Sequence, residues 1–345
     1  DIYNRIQKGR DGMKIASIAF TENGAKIVKM LVREIGVKGY VFEKYKTDGL
    51  ETFNNVSSLV RDIFKKYNAI VFVGACGIAV RSIAPYVKDK AKDPAVVVVD
   101  EKGNFAIPIL SGHIGGANDL AEKIAALTSG VAVITTATDI NKKFSVDTFA
   151  VRNNLHIGDT KLIKEISSRI LNDKKVGLYT DYELKNVPDC FEESNEVGIC
   201  ISDDDKKPFR TTLNLMPKNV VLGIGCRKGC ETVEESILAF LKVNGVSVYS
   251  LFAVATVDIK KNEKGIVEFC EKFDIPLLTF SAETLAAVEG EFTASEFVKK
   301  TVGVDNVCER AVCAVGAKIT EKKTALNGTA LALGRINTEI DFLKG

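Results

Sequence analysis

Apolar and polar positions along residues 13–141 follow two alternating patterns. Short continuous apolar runs, such as "KIASIAF", "NAIVFVG" and "VAVITT", are typical of strands that are buried on both faces of a sheet. Between such runs, "TENGAKIVKMLVREI" and "GGANDLAEKIAALTSG" repeat apolar residues every three to four positions, which predicts helices. "AVVVVDEKGNFAIPI" predicts a strand, a turn at residues 102–104 and a second strand. This alternation predicts a mostly parallel sheet covered by helices.

The pattern changes twice further along the chain. Residues 142–216 hold shorter elements, including the helix "DTKLIKEISSRILND" and the strands "KVGLYT" and "EVGICIS". From residue 217, "VVLGIGC" and "CETVEESILAFLKVN" restart the longer alternation. We therefore predict an α/β protein with two outer α/β domains, residues 13–141 and 217–345, and a small central α/β domain at 142–216. Whether the polar residues 1–12 are native is left open.

Composition narrows the class of protein. The chain has 345 residues, 46% hydrophobic and 27% charged, with a formal net charge of +2. This composition is typical of a soluble globular protein and disfavours a nucleic-acid binder, which usually carries a concentrated basic surface. No apolar run approaches the roughly 20 residues of a membrane span, and no apolar signal core is present at the start. We therefore expect a cytoplasmic protein.

Eight cysteines raise the question of a metal site. The pairs Cys226/Cys230 and Cys308/Cys313 lack the two-residue spacing of a zinc ribbon, and no histidine lies near them in the sequence. In a cytoplasmic chain of this length, reduced and mostly buried thiols are the better interpretation. A structural zinc or iron–sulfur site is the less favoured alternative.

Three glycine-containing turns follow apolar strands, and we expect all three at the edge where open α/β sheets bind ligands, the carboxyl ends of the strands. The first is "VFVGACGIAVRSIAP". Gly74 and Gly77 allow a ligand to approach the backbone, and the following helix start offers N–H groups to an anion. Arg81, one turn into this helix, can bind a carboxylate with two hydrogen bonds. The alternative is a tight turn followed by an exposed arginine.

The second turn, "ILSGHIGGANDLAE", contains one of the two histidines of the chain. The apolar stripe of the following helix leaves His113 in the loop before it, beside Gly115 and Gly116. A loop histidine there can act as a general base, or it can simply bond to the loop backbone. Asn118 should project away from the stripe, as should Asp119, which therefore makes a poor partner for His113. Ser111 and Asn118 are candidate substrate contacts.

The third turn is "VVLGIGCRKGCETVEES". Its glycines are one residue out of register with the dinucleotide fingerprint, and no acidic residue closes a second strand about 20 residues later. Arg227 and Lys228 instead favour an anionic ligand, with solvated surface charge as the alternative. The other histidine, His156, has no carboxylate or cysteine at ligand spacing, and we interpret it as structural or at the surface.

These stretches together resemble a known family. The segment from "VFVGACGIAVRSIAP" through "ILSGHIGGANDLAEKIA" to "AVITTATD" is similar to the amino-terminal half of cobalt-precorrin 5A hydrolases, the CbiG family. "VVLGIGCRKGC", "LTFSAETL", "VCERAVCAVGA" and "LALGRI" resemble the carboxyl-terminal part of the same family, which is also similar to the stand-alone protein CobE. The resemblance covers nearly all of residues 13–345 and is weakest over 142–216.

The resemblance implies a reaction and a type of substrate. Members of the family open the ring A δ-lactone of a cobalt tetrapyrrole, and a two-carbon fragment leaves as acetaldehyde to give cobalt-precorrin 5B. This chemistry needs an activated water and proton transfer but neither nicotinamide nor ATP. Because the cobalt arrives with the substrate, no cofactor and no protein-held metal are implied.

The resemblance supplies positions, and the chemistry of the side chains at those positions gives their candidate roles. His113 becomes the candidate general base, with Glu309 as a second catalytic candidate. An axial contact of His113 with the substrate cobalt and a structural role for His113 are the alternatives. The candidate substrate contacts are Gly74, Gly77, Arg81, Ser111, Gly115, Gly116, Asn118, Arg227, Lys228 and Ser281.

Two other functions remain as alternatives. One is a non-enzymatic carrier of a cobalt-corrinoid intermediate, and the less favoured one is a dinucleotide-dependent oxidoreductase. The expected partner is the anionic cobalt-tetrapyrrole substrate, without nucleic acid or membrane. A homodimer and direct contacts with neighbouring enzymes of the cobalamin pathway are left open.

Overall fold

A computed structural model describes residues 13–89, 92–113, 115–141, 143–194, 196–294 and 303–343. The chain divides into two compact units, one ending at Thr148 and the other beginning at Phe149. The predicted α/β architecture with mostly parallel sheets is confirmed in both units. The predicted limits of three domains stay a prediction.

The amino-terminal unit is built on a seven-stranded sheet. Its elements are β1 (Ile15–Ala19), α1 (Glu22–Ile35), β2 (Lys38–Phe42), β3 (Glu51–Phe53), α2 (Val56–Ile63), β4 (Ala69–Val73), α3 (Cys76–Ile83), β5 (Ala95–Val99), β6 (Phe105–Leu110), α4 (Ala117–Thr128), β7 (Val131–Ala132) and α5 (Ala137–Ile140). The strand order is β3-β2-β1-β4-β5-β6-β7. All neighbours are parallel except β5 and β6, which form the predicted antiparallel hairpin.

Helices cover both faces of this sheet, which explains the continuous apolar strands. All five residues of β4 and of β5 are buried. Val28 of α1 and Ile124 of α4 lie in the core on one face, and Val60 of α2 lies in the core on the other. The predicted stripe of α4 is confirmed, because Ala117, Leu120, Ala121 and Ile124 are buried and Leu127 packs against the same core.

The second unit contains two five-stranded sheets and a short two-stranded one. Its elements begin with α6 (Val146–Arg152), which crosses the limit between the units, and continue with β8 (Leu155–Ile157), α7 (Leu162–Leu171), β9 (Val176–Thr180), β10 (Leu184–Lys185), β11 (Phe191–Glu192), β12 (Val197–Ile201), β13 (Thr211–Pro217), β14 (Val220–Cys226), α8 (Val233–Val243), β15 (Leu251–Val257), α9 (Lys264–Phe273), β16 (Leu277–Phe280), α10 (Ala282–Ala286), α11 (Cys308–Val315), β17 (Lys318–Leu326), β18 (Thr329–Arg335) and β19 (Ile340–Asp341).

The strand order of the central sheet is β11-β9-β12-β13-β8, with only the β13–β8 pair antiparallel. The carboxyl-terminal sheet has the order β16-β15-β14-β18-β17. In it, β14, β15 and β16 are parallel, while β18 pairs antiparallel with β14 and with β17. Within the described ranges, no helix has both the length and the apolar character needed to cross a membrane.

Candidate active site

His113 lies in the loop that joins β6 to α4, as the sequence predicted. The loop turns sharply, since Ser111 and Gly116 both adopt the left-handed conformation, with φ of 55° and 78°. Its carbonyl groups fold back over the start of α4 and accept backbone N–H groups. These bonds join Ala117 to Ser111 at 3.2 Å, Asn118 to Gly112 at 3.0 Å and Gly116 to His113 at 2.9 Å. The loop itself therefore supplies acceptors for these backbone N–H groups at the start of α4.

The glycines of this loop are explained by close packing. A Cβ atom on Gly115 would lie 2.8 Å from the backbone oxygen of Ser111, and one on Gly112 would lie 2.8 Å from the amide oxygen of Asn118. Both distances are too short for real atoms. At Gly115 the clash is with the backbone, so the loop itself would have to move, whereas at Gly112 the Asn118 side chain would have to move. Contact of Gly115 and Gly116 with a substrate stays a prediction.

Asn118 differs from its predicted position. We expected it to project away from the buried stripe and to contact substrate, but the residue is only 7% exposed. Its amide Nδ2 donates to Thr136 Oγ1 at 3.1 Å, which ties the start of α4 to the segment after β7. The expected exposed position was wrong because the loop and this segment cover a side of the helix that periodicity alone assigns to solvent. A contact of Asn118 with substrate stays a prediction.

Asp147, near the start of α6, is the carboxylate that faces His113. The distance from His113 Nδ1 to Asp147 Oδ2 is 3.2 Å, and the two side chains are 14% and 10% exposed. The partner of the histidine thus comes from a distant part of the chain, as expected once Asp119 was set aside. No local pattern in the sequence marks Asp147 as this partner.

Two neighbours hold the other oxygen of the Asp147 carboxylate. The Ser145 hydroxyl and the backbone N–H of Thr148 both donate to Asp147 Oδ1. Burial acts to raise the pKa of Asp147, but the hydrogen bonds from His113 and Ser145, together with the charge of His113, outweigh it and lower this pKa to about 2. Asp147 is therefore an anion at neutral pH.

The charge of Asp147 determines what His113 can do. An ionised carboxylate only accepts hydrogen bonds, so Nδ1 of His113 must carry the proton that lies between the two groups. In the neutral ring, Nε2 then has the lone pair and can take a proton from water. Ser145 lies on the Nδ1 side, 3.5 Å away, whereas the nucleophile of a serine triad bonds to Nε2. The arrangement thus fits a His113 that acts as a general base on water better than a Ser145 that attacks the substrate to form an acyl-enzyme.

Gly74, Gly77 and Arg81 lie at the other edge of the seven-stranded sheet. Because β6 runs antiparallel to β5, its carboxyl end reaches the edge where β1, β4 and β5 begin. Ser111 Oγ accordingly donates to the carbonyl of Asp93, whereas the N–H of Gly74 donates to the carbonyl of Val99. Six residues of extended chain separate these carbonyls by roughly 20 Å. The expectation that both turns share the ligand-binding edge was wrong.

The carboxyl edge of the parallel strands carries the first glycine turn. Gly74 has a φ of 158°, and a Cβ atom there would lie 3.1 Å from the ring of Phe20. The guanidinium of Arg81 lies over Gly77, 3.3 Å from where a Cβ would be, and Arg81 is exposed. A ligand contact of these three residues stays a prediction.

Arg227, Lys228 and Ser281 follow parallel strands of the carboxyl-terminal sheet and share one edge of it. Arg227 and Lys228 are exposed in the turn after β14. Ser281 follows β16, and its hydroxyl accepts the backbone N–H of Thr284 at 3.2 Å, which caps α10. Their role as substrate contacts stays a prediction.

Glu309 lies at the start of α11 and is fully buried. Oε1 accepts the N–H of Lys323 at 2.7 Å, and Oε2 accepts the N–H of Thr293 at 3.0 Å. Burial acts to raise its pKa, and these backbone hydrogen bonds outweigh that effect and lower it. The carboxylate therefore joins three segments of the chain. These contacts favour a structural role for Glu309, whereas the catalytic role expected from the sequence is the alternative that kcat of Glu309→Gln tests.

Cysteines and His156 complete the set of candidates. None of the eight cysteines, all of which lie in the described ranges, forms a disulfide, and within those ranges no three His, Cys, Asp or Glu side chains are grouped so as to hold a metal ion. The ring of His156 stacks on Tyr249 at 4.2 Å between centroids. Burial first, and then the charge of Lys218, lowers the pKa of His156 to about 4.

Comparison with known proteins places the chain in a family. Three family models match successive segments: "Cobalamin synthesis G N-terminal" at residues 58–139, "Cobalamin biosynthesis central region" at 144–217 and "Cobalamin synthesis G C-terminus" at 220–334. These matches define a protein of cobalamin synthesis.

Individual relatives give the same result. The cobalt-precorrin-5A hydrolase of Salmonella typhimurium is 35% identical over 85% of this chain and 89% of that protein. That of Priestia megaterium is 30% identical over 86% of this chain and 87% of that protein. The solved structure of CobE is 26% identical over 35% of this chain and 92% of that chain, with a TM-score of 0.33. On the three family models and the two hydrolases, the chain belongs to the cobalt-precorrin-5A hydrolase family, a family of hydrolases in the cobalamin pathway.

Proposed function

We propose that this chain is a cobalt-precorrin 5A hydrolase that opens the ring A δ-lactone and releases acetaldehyde. The observation that carries the proposal is the buried pair of His113 and Asp147 in a chain of this family. Nε2 of His113 removes a proton from water, which attacks the lactone carbonyl, and the ring C–O bond breaks to give a carboxylate and an alcohol. The protonated His113 returns that proton to the oxygen that leaves as the alcohol. In the retro-aldol step His113 removes the proton of this alcohol, its C–O bond becomes the C=O bond of acetaldehyde, and the electron pair of the broken carbon–carbon bond passes into the conjugated ring system of the substrate.

The substrate supplies its own cobalt in this proposal, so the reaction needs no cofactor. Its acetate and propionate groups are anionic, and Arg81, Arg227 and Lys228 are the exposed cations that we propose as their contacts. Since Arg81 lies at the sheet edge opposite His113, it is not expected to touch the lactone that reacts at His113. We therefore assign the proton chemistry to the edge that carries His113.

The experiment compares the two histidines of the chain. Cobalt-precorrin 5A, generated enzymatically under anaerobic conditions, is given to the wild-type protein, His113→Gln and His156→Gln, and acetaldehyde is measured. Loss of a general base should lower the rate for His113→Gln by roughly 100- to 10,000-fold. His156→Gln is the matched control and should retain the wild-type rate.

The alternative of a non-enzymatic carrier has a distinct outcome. If the chain only binds and hands on an intermediate, acetaldehyde release will be equal in wild type and His113→Gln. Binding of a stable cobalt-corrinoid by both proteins, followed by its absorbance spectrum, checks that the variant still forms its site.

A further inference from the structure

Ser145 occupies the centre of the hydrogen-bond network behind His113. Its hydroxyl donates to Asp147 Oδ1, lies 3.0 Å from the hydroxyl of Thr148 and 3.5 Å from Nδ1 of His113. Because the carboxylate accepts the Ser145 proton, the Thr148 hydroxyl is the group that donates to Ser145 Oγ. The serine is thus held on three sides.

The network leaves one orientation for the Asp147 carboxylate. Oδ1 accepts from Ser145 and from the backbone of Thr148 at 3.1 Å, so Oδ2 is the oxygen that remains directed at His113. Both donors to Oδ1 lie within two residues of Asp147 at the start of α6, where the helix dipole also favours a negative charge. Rotation of the carboxylate out of this orientation would break both hydrogen bonds in a buried site, where unsatisfied polar groups are unfavourable.

We propose that Ser145 is a positioning residue, which clamps Asp147 so that His113 is fixed as the Nδ1–H tautomer with Nε2 as the base. Ser145 touches neither the substrate nor the reacting water in this role, and it acts through Asp147. The catalytic meaning of the tautomer rests on the proposed function, but the tautomer itself is measured without substrate.

The experiment reads the tautomer directly. With histidine labelled by nitrogen-15, the chain gives two sets of ring signals, and His156→Gln assigns those of His113. At neutral pH the wild type should show Nδ1 protonated and Nε2 unprotonated. Ser145→Ala should give a mixture of tautomers and lower kcat by roughly 10- to 100-fold with KM unchanged, as for loss of a supporting hydrogen bond. Ser145→Thr, which keeps the hydroxyl, should restore both.

The experiment includes one control variant and one second test variant. Ser247→Ala removes a hydroxyl that accepts the N–H of Tyr249 elsewhere in the chain, and it should change neither the His113 signals nor kcat. Asp147→Asn replaces the carboxylate by an amide that can donate to Nδ1, and it should move the ring proton to Nε2. It serves as the second variant in case Ser145→Ala does not fold.

Two results would overturn the proposal. One is a wild-type His113 protonated on Nε2, and the other is a Ser145→Ala protein with the wild-type tautomer and kcat. These differ from a failure of the proposed function. In that case Ser145→Ala still alters the tautomer, but His113→Gln releases acetaldehyde at the wild-type rate.

Discussion

His113 Nδ1 and Asp147 Oδ2 lie 3.2 Å apart, although 34 residues separate the two in the sequence. Both side chains are largely buried, so the hydrogen bond between them satisfies polar atoms that are shielded from water. The histidine comes from the loop before α4 and the aspartate from the first turn of α6. The fold of the amino-terminal unit therefore brings the two side chains together.

Acid should weaken the folded protein through Asp147. Its pKa is lowered from 3.8 to about 2 in the folded chain, so the unfolded chain binds the proton more tightly. The resulting contribution, about 2 kcal/mol, is fully present above pH 4 and is lost as the pH falls through 2. The thermal midpoint of the wild type should therefore fall more steeply below pH 4 than that of Asp147→Asn. Parallel curves for the two proteins would contradict the lowered pKa.

His156 should make the stability of the folded chain depend on pH in a higher range than Asp147 does. Burial keeps its ring neutral, and its pKa is lowered from 6.5 to about 4. The unfolded chain gains the proton first, so the folded chain should lose stability as the pH falls from 6.5 to 4, with no further loss below 4. Nitrogen-15 signals of the ring should titrate with a midpoint near 4, and His156→Gln should remove this part of the pH dependence. A midpoint near 6.5 would show that the stacked ring is accessible to water.

Glu309→Gln should affect stability rather than the reaction. The amide can accept only one of the two backbone N–H groups that Glu309 now satisfies, and its NH2 group faces the other donor. We expect the free energy of unfolding to fall by about 1–3 kcal/mol, as for a buried unsatisfied group. At a temperature where the variant is folded, kcat should match that of the wild type. Glu283→Gln, at an exposed carboxylate of α10, is the matched control.

The opposite result would make Glu309 catalytic. In that case kcat would fall by the roughly 100-fold or more that loss of a proton-transfer group causes, while the thermal midpoint stays near that of the wild type. The two outcomes are read from separate measurements, so a variant that is merely less stable cannot be mistaken for one that is inactive.

Periodicity predicted much of the fold, because the spacing of apolar residues within each strand and helix reflects which of its faces is buried. The stripe of α4 and the loop position of His113 follow from apolar spacing alone. The hairpin of β5 and β6 was also predicted, and its antiparallel direction was enough to put His113 at the edge opposite Gly74. Both turns were nevertheless predicted at one edge, because each follows the carboxyl end of its own strand and the reversed direction of β6 was not applied to His113.

The partner of His113 could not be found in the same way. Asp147 is brought to the histidine by tertiary packing, and neither residue leaves a local pattern that points to the other. The sequence does contain one relevant signal, the stretch "FSVDTFAVRN". Ser145 and Asp147 stand there at a helix start, where serine and aspartate commonly accept hydrogen bonds from free backbone N–H groups. It indicates a helix start, and only the fold shows that a histidine lies beside it.

Gly115→Ala, compared with a second glycine variant, should show whether the close packing of the loop sets the position of His113. The new methyl group would lie 2.8 Å from the backbone oxygen of Ser111, so the loop that carries His113 must move. We expect a loss of about 1–3 kcal/mol in the free energy of unfolding, as for overpacking, and a fall in kcat as His113 shifts from Asp147. Gly225→Ala is the matched control, because its methyl group would lie 3.9 Å from the nearest side chain, that of Val307. If both variants lose stability and kcat equally, the close packing of Gly115 on Ser111 does not set the position of His113.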